Sequence, residues 1–202
     1  MERELSVLEN AFDSLNESFR QYRLGELTSV NLKFSVMLFA HFVELAQIHL
    51  LQATGAPRGK RPGFANDTKI LSSSGERVMP ADLAESIDSL RKKRNEMQHN
   101  RVTYKPFEVR ILISTVLTSF YAYARGFEVE LKDGVDKENL QLFSHLTNPK
   151  VAFLAIAQDK ALAVSDNGVS YGCYECGENR VASKHEDKIT CHNCLHVHSL
   201  NT

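Results

Sequence analysis

All four cysteines of this chain fall within its last 30 residues, at positions 173, 176, 191 and 194. They form two C-x-x-C pairs, Cys173-Tyr-Glu-Cys176 and Cys191-His-Asn-Cys194, separated by 14 residues. A C-x-x-C turn brings two thiolates close enough for one tetrahedral metal ion, and two such turns complete a four-sulfur site. Residues 169–202 contain too few large apolar side chains to fold unaided. A bound metal supplies what that core lacks, roughly 10–16 kcal/mol of apparent binding energy in small zinc modules.

The expectation is therefore one structural Zn2+ per chain, held by Cys173, Cys176, Cys191 and Cys194. Clustered cysteines in a reducing compartment read as metal ligands before disulfides. The pattern resembles a zinc ribbon, two knuckles on short strands, with Val181 and Ile189 suited to the strands between. Two disulfides, or a redox C-x-x-C, are the competing readings. A thioredoxin-like site needs one C-x-x-C at a helix start beside a sheet, and neither is visible. A full thiolate set leaves no ligand position for His192, His196 or His198, and no catalytic role is expected of the metal.

The rest of the chain reads as an ordinary globular protein. Lys+Arg total 24 against 25 Asp+Glu, a formal net charge of −1, and 43% of residues are hydrophobic. This balance excludes collagen, a disordered tail, a membrane bundle and a uniformly basic nucleic-acid coat, but not a local basic site. The start MERELSVLENAF holds no apolar signal-peptide core, so a cytoplasmic location is expected. The most apolar stretch, from Phe34 to Leu51, is interrupted by His41, Glu44, Gln47 and His49. Polar groups at that density are costly in lipid, so it reads as the central helix of a soluble bundle, with no membrane partner.

Leu5, Leu8, Phe12, Leu15 and Phe19 recur at helical spacing, and Gly25 ends this first helix. Thr28 or Ser29 is placed to cap a second, which Gly55 and Pro57 stop near Ala53. Residues 55–79 read as a long loop carrying Arg58, Lys60, Arg61, Lys69 and Arg77. A third helix begins at Pro80–Asp82, with Leu83, Ile87 and Leu90 inward. A fourth spans about Pro106 to Arg125, with Val109, Ile111, Leu112, Val116, Leu117, Phe120 and Tyr121 as core candidates. Asn148 is placed to cap a short helix from Pro149. The expected fold is all-α: a four- to five-helix bundle over residues 1–125, a helical extension or linker over 126–168, and a small zinc-ribbon module over 169–202.

The third helix ends in a basic run, Arg91, Lys92, Lys93 and Arg94, followed by Asn95, His99 and Arg101. Cations favour a helix C-terminus, and that alone explains a solvated run. Arg94 and His99 also form an R-x-x-x-x-H pair, although composition alone gives about half such a match per chain. A second match, Arg180 to His185, lies between the cysteine pairs and reads as coincidence. Context distinguishes the first. LRKKRNEMQH sits at the end of an amphipathic helix and precedes an apolar one.

LRKKRNEMQH resembles the R-N-x-x-x-H signature of the HEPN family, and SVMLFAHFVELAQIHLL is similar to the second helix of HEPN bundles. The resemblance covers residues 1–125 and leaves the rest as an extension. It implies a helical bundle that dimerises, with Arg94 and His99 as catalytic pair and Asn95 orienting them. Many HEPN domains are metal-independent endoribonucleases of toxin–antitoxin, phage-defence or RNA-processing systems. The expected partners are RNA, a second copy, and an antitoxin or defence-complex protein.

The chemistry agrees on independent grounds. RNA carries its own nucleophile, the 2′-hydroxyl; a histidine moves protons near neutral pH, and a guanidinium stabilises a pentavalent phosphate bidentately. Helix geometry adds a constraint, since residues five apart lie about 140° apart around a regular helix. Arg94 and His99 converge only through the long Arg side chain, a break near Gln98, or a partner subunit. Arg91, Lys92, Lys93 and Arg101 are the expected RNA-binding cations. Tyr104 either stacks on a base or packs a helix, and Glu44 is either a satisfied core carboxylate or a support for Arg94. A non-catalytic nucleic-acid-binding or scaffolding module is the main alternative, and a cysteine-based metal or redox sensor a third.

Overall fold

The structure is a computed structural model that describes residues 6–25, 28–55, 63–73, 77–99 and 106–148, with parts of 150–199. The chain divides into two compact units, Met1–Thr147 and Asn148–Thr202.

The first unit is helical: α1 Val7–Gly25, α2 Ser29–Thr54, α3 Phe64–Leu71, α4 Ala81–His99, α5 Pro106–Arg125 and α6 Leu140–Leu146. Local chemistry sets the ends of α2. Thr28 is extended, and its hydroxyl accepts from the Asn31 N–H at 3.3 Å. Gly55 closes the helix at φ 65°, a left-handed conformation that suits glycine.

α2 is apolar around most of its circumference and long enough, by composition alone, to cross a membrane. Its Val36, Phe39, Phe42, Val43 and Leu50 are instead buried within the unit. It packs on α1, α3, α4 and α5, which makes it the core helix expected from its interrupting polar residues. Phe42 meets Phe120 of α5 edge-on at 6.0 Å, and Leu83, Ile87 and Leu90 close the core from α4.

Two sequence expectations change. Residues 55–79 are not a loop throughout, because α3 forms within them. Eight residues are too few for periodicity to reveal, and burial of Phe64, Thr68 and Leu71 holds the helix in place. The bundle also extends past Arg125. Short 3₁₀ turns at Leu131–Gly134 and Lys137–Asn139 lead into α6, and Leu131, Phe143 and Leu146 are buried in the same core. Long-range polar contacts fasten this segment. Asn16 of α1 donates to the Gly134 carbonyl at 2.9 Å and accepts from the Asp136 N–H at 2.9 Å. The Ser114 hydroxyl donates to the Leu146 carbonyl at 2.6 Å. The linker assigned to 126–168 is thus split, its first part belonging to the helical unit.

In the second unit, Asn148 accepts from the Lys150 N–H at 3.0 Å, the capping contact expected there. Strands β1 Ser170–Tyr171, β2 Ala182–His185, β3 Lys188–Cys191 and β4 Val197–Ser199 form an antiparallel sheet in sequential order. The helical residues Leu154 and Ala157 pack with Cys173, Val181, Ala182 and Cys191 in a small separate core.

Candidate functional site

Arg94 stands out through its position on α4. Leu83, Ile87, Leu90 and Met97 form the buried stripe of that helix, and Arg94 falls between the last two at the same three- and four-residue steps. The register therefore turns its side chain inward, against α2 and α3, rather than out to water. A cation placed there needs a partner, because desolvated charge is costly. Glu44 of α2 provides it, with Oε2 3.2 Å from Arg94 Nη1 and both side chains about three-quarters buried at 25% and 26% exposure. The guanidinium carbon lies 5.8 Å from the centroid of the Phe64 ring, a cation–π contact from α3. Arg94 Nε is buried and has no hydrogen-bond partner among the described residues.

A cleft of about 390 Å³ opens beside this pair, and Phe64, Asn66, Arg91 and Asn95 complete its polar and aromatic wall. Of the expected site residues, the structure brings Arg91, Arg94, Asn95 and Glu44 together here. Phe64 and Asn66 were missed in the sequence, because the segment that carries them read as loop.

His99 does not line the cleft. It is the exposed last residue of α4, which runs unbroken through Gln98. A helix break is therefore not what joins Arg94 to His99. His99 instead continues the face of Arg91 and Asn95, each four residues from the next. Arg101 and Tyr104 lie outside the described residues.

The basic run is less free than its sequence suggests. Arg91 grips Asp88 through two nitrogens at 2.7 and 3.0 Å, and Lys92 reaches the other oxygen at 2.8 Å. Hydrogen bonds from Lys92 and then Arg91 hold the Asp88 carboxyl below the usual carboxylate range. Lys93 pairs with Glu96 at 3.2 Å. With Glu44 included, four cations face three carboxylates. The exposed pairs to Asp88 and Glu96 contribute only about 0–1 kcal/mol each, so a phosphate can replace those two carboxylates at little cost.

In the second unit, Cys173 and Cys191 are buried in one small core, and Cys191 ends β3 opposite Ala182. Two thiols shielded from water in one cluster suit soft metal ligation. Cys176 and Cys194, the other expected ligands, lie outside the described residues, as does Arg180. His192 has its ring Nε2 2.7 Å from the Ser183 hydroxyl, and burial, then Lys160, pushes its pKa down.

Compared with known proteins, the chain matches no family model, no curated protein and no solved structure.

Proposed function

We propose that the protein is a metal-independent endoribonuclease of HEPN type, working as a dimer with a structural Zn2+ in its C-terminal unit. The observation that carries this reading is the inward Arg94, oriented by Glu44 and Phe64 at the wall of an open cleft. A guanidinium preorganised in this way is suited to a phosphate whose charge grows in the transition state. Arg91 and Asn95 border it, and His99 lies one turn beyond Asn95 on the same face.

In this mechanism the 2′-oxygen of RNA loses its proton and attacks the adjacent phosphorus. The bond to the 5′-oxygen breaks, and that oxygen takes up a proton. A 2′,3′-cyclic phosphate and a 5′-hydroxyl result. His99 transfers protons and Arg94 stabilises the phosphorane. His99 of one copy serves the cleft of the other, since the unbroken α4 keeps the two residues about 140° apart. The exposed Val30 and Phe34, one turn apart on α2, give a second copy an apolar face to cover. A toxin or phage-defence role, in the cytoplasm and under an antitoxin or defence partner, follows from the resemblance alone.

The test is cleavage of RNA in the presence of a chelator that leaves the zinc bound. RNA should be cut to cyclic-phosphate ends, and DNA should survive. His99→Ala should slow cleavage by roughly a hundred- to ten-thousand-fold. Arg94→Ala should cost roughly a hundred- to thousand-fold. Lys92→Ala and Lys93→Ala should mainly flatten the salt dependence of binding. His185→Ala, in the decoy match, should change nothing. Full activity in His99→Ala sinks the reading. A binding module then replaces it, which the exposure of His99 outside the cleft favours.

A further inference from the structure

A second cleft, of about 430 Å³, lies within the helical unit and is lined from α1, α5 and the segment ending in α6. Its volume falls in the range of small-molecule sites, roughly 300–1,000 Å³. None of its residues belongs to the Arg94 site.

Arg110 is the cation that sets its chemistry. Arg20 and Arg23 share Glu138, Arg91 meets Asp88, Arg94 meets Glu44 and Arg125 meets Glu130. Among the described residues no carboxylate pairs with Arg110. Its Nε donates to the Tyr22 phenol at 3.0 Å, which leaves both terminal nitrogens available. Tyr22 is only 3% exposed, and its oxygen is occupied as an acceptor, so its own proton remains to donate. His145 and Gln141, one turn apart on α6, add ring and amide N–H donors, and Leu142 adds an apolar wall.

Among the described residues the lining has a single carboxylate, Glu138, and it is engaged. Its Oε1 lies 3.5 Å from Arg23 and 3.6 Å from Arg20. Arg23 is engaged as well, donating to the Glu138 carbonyl at 3.1 Å. Unspent donors therefore outnumber unspent acceptors in a concave site. Burial and the Arg110 charge push the His145 pKa below its ordinary value, so the ring is neutral near pH 7 and open to an anion's influence.

We propose that this cleft binds the phosphate group of a small phosphorylated ligand, with Arg110 as the anchoring cation and Tyr22 and His145 as supporting donors. A planar guanidinium with two free nitrogens matches phosphate oxygens bidentately. The small ligand is favoured over a nucleic-acid backbone by the concave shape and by the presence of one arginine, Arg110, without a carboxylate partner among the described lining residues. The proposal does not depend on Arg94 or His99.

The experiment uses the full chain, with inorganic phosphate as probe and sodium chloride at matched ionic strength as control. The His145 ring is followed by NMR and assigned with His145→Gln. Phosphate should produce a saturable shift at low-millimolar concentration and raise the His145 pKa, because an anion beside the ring favours its protonated form. Chloride should do neither. Arg110→Gln should abolish the saturable shift while helical circular dichroism stays native. Should that variant misfold, Tyr22→Phe, which keeps the ring, should weaken phosphate several-fold. A wild-type response equal in phosphate and chloride overturns the proposal, as does unchanged phosphate affinity in a folded Arg110→Gln. A short RNA oligomer that saturates His145 below the phosphate concentration overturns the small-ligand assignment and makes the cleft an RNA contact.

Discussion

The two units of this protein hold themselves together by different means. The helical unit buries Phe19, Phe39, Phe42, Phe120 and Phe143 completely, and aromatic edges link α1, α2, α5 and α6. Among the described residues, the sheet unit buries mostly small side chains, Ala157, Val181 and Ala182, together with Cys173 and Cys191. At about 25 cal/mol per Å² of apolar surface, large aromatic side chains carry most of a core's driving force. The first unit thus has its cohesion in the chain itself. Among the described residues of the second, sulfur stands where a core would need bulk, and the proposed zinc would supply the missing cohesion.

Removing the proposed zinc should produce the largest effect. A strong chelator should release one zinc per chain and erase the cross-strand contacts of β1 to β4, while α1–α6 melt at an unchanged temperature. Cys191→Ser, which removes one of the four expected ligands, should act in the same direction on a site whose full binding is worth about 10–16 kcal/mol in comparable modules. Amide exchange resolved by unit separates the two outcomes. Sheet amides that stay protected in chelator would remove the metal from the account.

The reverse experiment breaks the helical unit alone. Phe19 is fully buried and meets Phe143 edge-on at 6.5 Å, tying α1 to α6. Phe19→Ala should cost roughly 3–5 kcal/mol in chemical denaturation of this unit and leave zinc content unchanged. A smaller strike tests where the unit ends. A Cβ on Gly134 would lie 2.2 Å from the Phe12 ring, so Gly134→Ala forces ring or turn to move. About 1–3 kcal/mol is the expected cost. No loss would mean that residues 131–146 contribute little to the bundle.

The same contrast explains what the sequence revealed. Long helices with sharp punctuation were legible, as Thr28 and Gly55 at the ends of α2 illustrate. The inner face of α4 was legible up to Leu90, and the same spacing, carried one turn further, places Arg94 inward. Segments held by distant partners were not legible. α3 depends on burial of Phe64 and Leu71, and the turn at Gly134 depends on Asn16, 118 residues away. Glu44 showed two possible roles until Arg94, 50 residues on, was placed beside it. The Asp88 and Glu96 pairs that quieten the basic run were readable from three- and four-residue spacing. Arg110, Tyr22 and His145 come from three separate helices, and no local pattern joins them.

Alkaline pH should act on the helical unit through a small, graded effect. Burial pushes the Tyr123 phenol up to about 12, where its ordinary value is 10.0. Its ring packs between Phe120 at 6.5 Å and Phe127 at 5.2 Å, and its hydroxyl donates to the Arg77 carbonyl at 3.1 Å. The folded state therefore keeps a proton that the unfolded chain loses above pH 10. Stability from this group is fully present below pH 10 and is lost as pH rises towards 12, because unfolding then releases a proton. Tyr121 adds to the trend, its phenol raised by burial and by its hydrogen bond to Glu130. Tyr123→Phe keeps the ring contacts and removes the titration. Its stability should fall less steeply between pH 10 and 12 than that of the wild type, measured by denaturation of the helical signal. At neutral pH the variant should differ only by the lost hydrogen bond, about 0.5–1.5 kcal/mol. Parallel pH profiles for the two proteins would show that Tyr123 is not protected by its packing.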